Sequence, residues 1–168
     1  MRLFHRQRSE NPSPSADPSP SAPKLIDDIP KTAKWAADNL NATGYRADGT
    51  VDSLKEIDRF IGEQHRPGGA LDGKFGNILF ALGSYVGQVV IAAYGGEWVT
   101  DDSDPEGEIN IAVKLANGGM IWPVVQLMKR IKEGPENAIF PYALAAGEDE
   151  KLRKINIDGL DKIGRDGK

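Results

Sequence analysis

The acidic run Asp101–Glu108, with the sequence DDSDPEGE, has the composition of a metal-binding loop. Positions 1, 3, 5 and 6 of a calcium-loop pattern are matched by Asp102, Asp104, Glu106 and Gly107. Position 12 holds Val113 where the pattern requires a bidentate glutamate, and Pro105 stiffens position 4. The run therefore matches the calcium pattern only in part, and the mismatches favour an acidic loop surrounded by water.

The carboxylates of this run could also bind a basic protein, because clustered acidic side chains attract and steer cationic surfaces. The residues predicted for partner binding are Asp101, Asp102, Asp104, Glu106 and Glu108. A glycosidase acid–base pair is a third use of such carboxylates, but only Trp98 nearby could serve as a sugar platform. We therefore predict partner binding first and calcium binding second, with Asp102, Asp104 and Glu106 as the metal candidates.

Most other catalytic and cofactor chemistry lacks its residues in this sequence. There is no cysteine, which excludes disulfides, thiol catalysis and thiolate metal sites. His5 and His65 are the only histidines and leave little for a histidine metal site or a serine–histidine relay. Ser84 lies within an apolar helical pattern instead of a strand–turn–helix elbow. We therefore predict a non-enzymatic protein with no catalytic residues and no cofactor.

Charge is unevenly distributed along the 168 residues. Basic and acidic side chains balance within residues 1–30 and again within 148–168, so the formal net charge of −4 falls within residues 31–147. An acidic domain repels phosphate backbones, which argues against nucleic acid as a partner. The N-terminal MRLFHRQR is not followed by an apolar stretch, so no export signal is predicted and the expected location is cytoplasmic.

The segment Ile78–Tyr94 contains no charged residue and raises the question of a membrane span. As a helix it would be about 25 Å long, which is shorter than a hydrocarbon core of about 30 Å. No cluster of Lys or Arg marks a cytoplasmic flank. Gly83 and Gly87 would let another element approach the helix closely, in a membrane or in a soluble core. We predict a buried central helix and no membrane.

Apolar residues at helical spacing predict four further helices. They lie at residues 30–40, 50–64 and 123–133, with a short one, bent at Pro141, at 137–147. Ser53 and Glu56 have the spacing of a capping box at the start of the second. Pro123 and Gly134 are typical of the first position and the C-terminal end of the third.

Three short strands are predicted between the long apolar segment and Pro123. Strict alternation of apolar and polar residues over 108–115 is typical of a half-buried antiparallel strand. Asn117-Gly118 is a strong hairpin signal, so 119–122 is predicted to return beside it. The segment 97–100 is predicted to form the third strand.

The order of these elements indicates an α+β fold. A helical layer with a long buried central helix packs on a small three-stranded antiparallel meander. The domain is predicted to span residues 31–147. Residues 1–30, rich in proline and serine, are predicted to form a disordered extension. Residues 148–168 are predicted to form a charged, loose C-terminal tail.

Several motifs together resemble a group of small uncharacterised bacterial domains. The motifs are SLKEIDRFI (53–61), LFALGSYVGQVVI (79–91), GGEW (95–98), INIAVKLANGGMIWP (109–123) and QLMKRIKEGPEN (126–137). In that group a Gly-x-Tyr-x-Gly helix precedes Gly-Gly-x-Trp, an alternating strand, a hairpin and a Lys-Arg-Ile-x-x-Gly helix. The resemblance implies a bacterial cytosolic module and no particular chemistry. By analogy with similar small acidic domains, it also suggests an immunity protein that neutralises a toxin.

Two functions remain open at the level of the sequence. The first is a protein-interaction domain that binds a basic partner through an acidic face, as an immunity protein does. The second is a regulatory domain that binds a small molecule or calcium. Calcium would be bound by carboxylates of residues 101–108. A small molecule would be bound in a pocket between helix and sheet, lined by aromatic residues such as Trp98 and Trp122. Neither identifies the partner or the oligomeric state.

Overall fold

A computed structural model of the chain describes residues 22–73 and 75–148. Its central element is helix α3, Gly76–Tyr94, whose consecutive residues Leu79–Gly87 are all buried. By length and composition alone this helix could cross a membrane. Of its most apolar stretch of 18 residues, 61% is buried inside the structure. The predicted central helix is confirmed. It is apolar on nearly all sides because other elements surround it.

Helix α1, Leu25–Ala42, packs along α3 through a stripe of small and aliphatic residues. Its buried residues are Ile29, Ala33, Ala36 and Leu40. The helix begins at Leu25, before the predicted start at Pro30, so Pro30 lies inside it with an exposed ring. Residues 25–30 are therefore helical instead of belonging to the predicted extension. Residues 1–21 of that extension lie outside the described residues.

Helix α2, Leu54–Gln64, follows a short 3₁₀ turn at Val51–Ser53. The predicted capping box is wrong, because the Ser53 hydroxyl does not cap α2. It lies instead 2.6 Å from the carbonyl of Thr50 and 2.7 Å from the hydroxyl of Tyr85 on α3. Ser53 is fully buried, so its hydroxyl needs a partner inside the protein. Its hydrogen bond with Tyr85 joins the start of α2 to the central helix.

The sheet has the strand order β1-β2-β3, with β1 at Gly96–Val99, β2 at Ala112–Leu115 and β3 at Met120–Ile121. Both pairs are antiparallel, which confirms the predicted meander. Trp98, Val113 and Ile121 are cross-strand neighbours and form a row on the inner face. The turn between β2 and β3 contains Gly118 at φ +90°, a conformation that favours glycine.

The predicted strand over 108–115 is only partly correct, because Gly107–Asn110 form a short helical turn, α4. The carboxylate of Asp104 explains the difference. One of its oxygens accepts the N–H of Glu106 at 2.9 Å, and the other accepts the side-chain amide of Asn110 at 2.8 Å. These side-chain bonds offer the backbone a local alternative to the strand, and the alternation pattern does not reveal them.

Two glycines let neighbouring elements reach the backbone of α3. A β-carbon at Gly83 would overlap the side chain of Val124, and one at Gly87 would overlap the ring of Trp98. Val124 belongs to helix α5, Pro123–Glu133, and Trp98 belongs to β1. The Gly-x-x-x-Gly spacing therefore serves packing of α5 and of the sheet within the described fold.

Helix α6, Ile139–Ala146, follows a 3₁₀ turn at Pro135–Asn137. Asp58 of α2 caps α6, because its two carboxylate oxygens accept the N–H groups of Ile139 at 2.8 Å and Phe140 at 3.0 Å. Pro141 falls in the first turn, where a proline is tolerated. At the other end, the Asn117 side chain donates to the carbonyls of Ala146 and Glu148. The predicted α+β class is confirmed. Residues 149–168 of the predicted tail lie outside the described residues.

Candidate functional site

The acidic loop, Asp101–Glu108, connects β1 to β2 and is held by its own carboxylates. One oxygen of Asp101 accepts both the N–H of Ser103 at 2.9 Å and its hydroxyl at 2.6 Å. One oxygen of Asp102 accepts the N–H of Leu25 at 2.8 Å, which attaches the start of α1 to the loop. The loop is therefore built by local hydrogen bonds and joined to the helical layer.

The metal candidates Asp102, Asp104 and Glu106 are not brought together as a coordination sphere. Within residues 22–73 and 75–148, no group of three or more acidic, histidine or cysteine side chains is placed to hold a metal ion. Asp102 bonds to α1, whereas Asp104 bonds to its own turn. Calcium ligands must converge on one point, so this arrangement does not support the calcium interpretation.

Among the described residues, the loop carboxylates have no basic neighbour at ion-pair distance. The ion pairs of the described residues involve other acidic residues, and none includes a residue of the acidic loop. The sequence supplies no Lys or Arg between Lys74 and Lys114. Hydrogen bonds from the Ser103 side chain and then its backbone lower the pKa of Asp101 below its usual value. These bonds stabilise the charged form, so the loop presents its negative charge to solvent.

Trp35, on α1, has 54% of its surface exposed. It borders an apolar cavity of about 170 Å³ between α1, α2 and α3. The large side chains around the cavity are Trp35, Leu40, Phe60, Ile78 and Leu82. An exposed tryptophan next to an apolar opening is the kind of feature on which binding energy concentrates in protein interfaces.

A second recess, of about 490 Å³, adjoins Trp35 on its other side. Among its lining residues are Lys31, Trp35, Asn77, Phe80 and Glu108. Glu108 is the last residue of the acidic loop, so this outer recess connects the loop to Trp35. We call the acidic loop, Trp35, the apolar cavity and the outer recess together the binding surface.

The predicted partner-binding residues occupy one part of this surface. Asp101, Asp102, Glu106 and Glu108 are exposed, and Asp104 is half-buried. The sequence did not identify Trp35 as a candidate, although a signal was present. The tryptophan lies off the stripe of Ala33, Ala36 and Leu40, on the side of the helix where polar residues are expected.

The other residues considered from the sequence lie elsewhere. Tyr85 is buried, and its hydroxyl lies 2.7 Å from Ser53 and accepts the N–H of Gly49 at 3.1 Å. Trp98 packs on Gly87, and His65 is exposed at the end of α2. Trp122 is 44% exposed beside α6, where its backbone N–H donates to the hydroxyl of Tyr142. The cavity beside Trp35 lies between helices, not between helix and sheet as the sequence suggested.

Comparison with known proteins adds no relative to this description. No protein-family model, no curated protein and no solved structure matches the chain. The resemblance to small bacterial domains therefore stays a prediction. The binding surface is therefore the feature on which the proposed function rests.

Proposed function

We propose that the protein is a non-enzymatic interaction domain that binds a basic protein through the binding surface. The observation that carries this proposal is that Glu108, the last residue of the acidic loop, lines the same recess as Trp35. The loop carboxylates have no ionic partner among the described residues, and the exposed Trp35 borders both this recess and the apolar cavity. A protein that neutralises a basic toxin in the cytoplasm is one function that such a surface would serve.

The acidic loop supplies attraction over a distance. Exposed charges of one sign raise the rate at which an oppositely charged partner meets the surface, and salt weakens this effect. Within the binding surface, Lys31 is the basic residue that borders the outer recess. Within the part of the chain that the structure describes, the loop carboxylates carry no ion pair that a partner would have to break. A partner's Lys or Arg side chains can therefore pair with them directly.

Trp35 and the apolar cavity supply the short-range part of binding. Charged residues at the rim of an interface contribute mainly to specificity and association rate. Most of the binding energy comes from a few buried aromatic or aliphatic contacts, for which tryptophan is strongly enriched. The cavity of about 170 Å³ has room for an aliphatic or aromatic side chain of the partner. We expect a partner that presents an apolar residue next to basic ones.

The acidic part of the proposal is tested by recovery of bound proteins from native lysate. The loop variant combines Asp101→Asn, Asp102→Asn, Asp104→Asn and Glu106→Gln, which removes the charge and leaves one acceptor oxygen on each side chain. The matched control combines Asp38→Asn, Asp72→Asn, Glu133→Gln and Glu136→Gln, which changes the net charge equally at exposed positions elsewhere. We expect the loop variant alone to lose the basic partner. Equal recovery by both variants would contradict the proposal.

The apolar part is tested with two exposed tryptophans. Trp35→Ala should weaken binding of the recovered partner by about 30-fold or more, which corresponds to a loss of about 2 kcal/mol. Trp122→Ala removes a similarly exposed ring outside the binding surface and should leave the affinity within about twofold. Titration calorimetry with the purified partner measures both. If Trp122→Ala weakens binding more than Trp35→Ala, the binding surface is misplaced.

A second candidate function is favoured by the apolar cavity alone. Small-molecule sites are concave and mostly apolar, and this cavity is lined almost entirely by carbon atoms. Its volume suits a small aromatic or short aliphatic compound. Titration with indole, read by the chemical shifts of Ala36 and Ala81 methyl groups, tests this function. Absence of any shift at millimolar indole would remove it.

A further inference from the structure

Strand β1 is at the edge of the sheet, and its hydrogen-bond pattern shows which backbone groups face outward. The N–H of Ala116 donates to the carbonyl of Gly95 at 3.2 Å, which fixes residue 95 as bonded to the β2 side. Bonded residues alternate along an antiparallel strand. Glu97 and Val99 therefore bond to β2, whereas the N–H and C=O groups of Gly96 and Trp98 point away from the sheet.

No described residue pairs with this outer edge. Apart from the ladder to β2, no backbone or side-chain hydrogen bond reaches residues 96–99 within 22–73 and 75–148, except the indole N–H of Trp98. Gly96, Glu97 and Val99 are all exposed. The opposite edge, β3, has only two residues, and the backbone N–H of Trp122 just after it donates to the hydroxyl of Tyr142 on α6. β1 is thus the longer open edge of the sheet.

We propose that an extended basic segment of the partner pairs with β1 as a fourth strand. This inference rests on the proposed function and specifies how the partner is held. Unpaired N–H and C=O groups at a strand edge are a template for a peptide in extended conformation. Glu97 lies on β1, and the acidic loop begins directly after it. Lys or Arg on the outer face of an added strand would therefore meet Glu97 and, beyond the end of β1, the acidic loop.

A second copy of the chain fits this edge less well. The antiparallel register that satisfies Gly96 and Trp98 of both copies places Glu97 opposite Glu97 of the other copy. Side chains in such a position are about 5 Å apart at their β-carbons, and like charges there are unfavourable. Charge therefore favours a basic partner segment over self-association.

The test uses the full chain and a capped peptide of eight residues, Lys-Val-Lys-Val-Lys-Val-Lys-Val, at low salt. Amide hydrogen exchange is followed by NMR. We expect the amides of Gly96 and Trp98 to gain at least tenfold protection when the peptide binds. The amides of Glu97 and Val99, which already bond to β2, should change little. No protection at Gly96 and Trp98 at millimolar peptide would overturn the proposal.

A second peptide separates strand pairing from simple charge attraction. N-methylation of alternate residues keeps the charge and removes the donors along one edge. One of the two alternate patterns should weaken binding more than tenfold, because it blocks the bonds to Gly96 and Trp98. Likewise, Glu97→Lys should weaken binding about fivefold more than Glu97→Gln. If both methylated peptides bind like the parent and the loop variant binds none, the strand pairing is wrong and the proposed function stands.

The opposite result is equally distinct. Suppose that the peptide still protects the amides of Gly96 and Trp98 in the loop variant. The edge then binds peptides without help from the acidic loop, and the proposed function fails. A chain that elutes as a dimer, with the amides of Gly96 and Trp98 already protected from exchange in the absence of peptide, would make a second copy the occupant and overturn the proposal. Peptide binding that requires deletion of residues 149–168 would assign the edge to the chain's own C-terminal segment, with the same consequence.

Discussion

Two acidic regions of the molecule use their carboxylates in opposite ways. The paired cluster, around α2, contains Arg46, Asp48, Asp52, Lys55, Glu56, Arg59 and Glu63. Each of its acidic residues lies at ion-pair distance from a basic one. The acidic loop contains a similar number of carboxylates and not one such pair within the described residues.

The paired cluster holds local structure together. Arg59 bridges Glu56 and Glu63, donates to the carbonyl of Gly44 at 2.8 Å, and stacks on the ring of Tyr45 at 4.4 Å. Burial, and then the hydrogen bond to Glu63, raise the pKa of Tyr45. The acidic loop needs no such neutralisation, since its bonds to Ser103, Glu106 and Leu25 fix its shape. The difference indicates that its charge is available to a partner.

The largest expected effect comes from a carboxylate that both caps and pairs. Asp58 caps α6 and lies 3.4 Å from the guanidinium of Arg130, with side chains only 18% and 13% exposed. Asp58→Ala should lower the free energy of unfolding by about 3 kcal/mol, since it removes the cap and leaves a largely buried cation unpaired. Urea denaturation measures this, with Asp72→Ala as an exposed control. An equal, small effect of both would contradict the assigned role.

Next in size is the hub of the paired cluster. Arg59→Met keeps the apolar stem and removes the ion pairs, the carbonyl bond and the ring contact. We expect the melting temperature to fall by about 4 °C. Lys34→Met, which removes one exposed pair with Asp38, should shift it by less than about 1 °C. Differential scanning calorimetry of both variants decides whether the cluster supports the fold.

The loop variant should affect stability less. Its asparagine side chains still accept the bonds from Ser103, Glu106 and Leu25, and only the bond from the Asn110 side chain to position 104 is lost. No ion pair among the described residues is lost. We expect its melting temperature to stay within about 2 °C of the parent, while binding of the basic partner is lost. A fall comparable with that of Arg59→Met would show that these carboxylates maintain the fold, and the contrast between the two regions would disappear.

The smallest effect is a change in the titration of one carboxyl. Ser103→Ala removes the hydroxyl that bonds to Asp101, so the pKa of Asp101 should rise towards its usual value. The folded pKa lies below that of the unfolded chain, so this carboxylate stabilises the loop above its ordinary pKa and less as pH falls through the lowered value. NMR titration measures the shift. Ser103→Thr, which keeps a hydroxyl, should leave the pKa low.

Buried regular elements were predictable from the sequence because their residue patterns reflect packing on several sides. The span Ile78–Tyr94 predicts α3 to within two residues of its observed start at Gly76, and Asn117-Gly118 locates the hairpin. Each of these signals is local and strong. The fold class followed from the order of such elements.

Features that depend on specific side-chain hydrogen bonds, or on the proximity of residues distant in the chain, were not predictable. The turn at Gly107–Asn110 replaces a strand because Asp104 bonds to Glu106 and Asn110, and the alternation pattern is silent about this. The binding surface forms because Glu108 and Trp35, which are far apart in the chain, line the same recess. The sequence thus identified the acidic loop but not the tryptophan that adjoins it.

The hydrogen bond from the N–H of Leu25 to Asp102 has a practical consequence. It places Lys24, the residue before α1, next to the acidic loop, so a dye attached at this position is held close to the carboxylates. A cationic label there would compete with a basic ligand at high local concentration. A label attached at Glu148, whose carbonyl accepts a bond from Asn117, is not held at the loop by this bond.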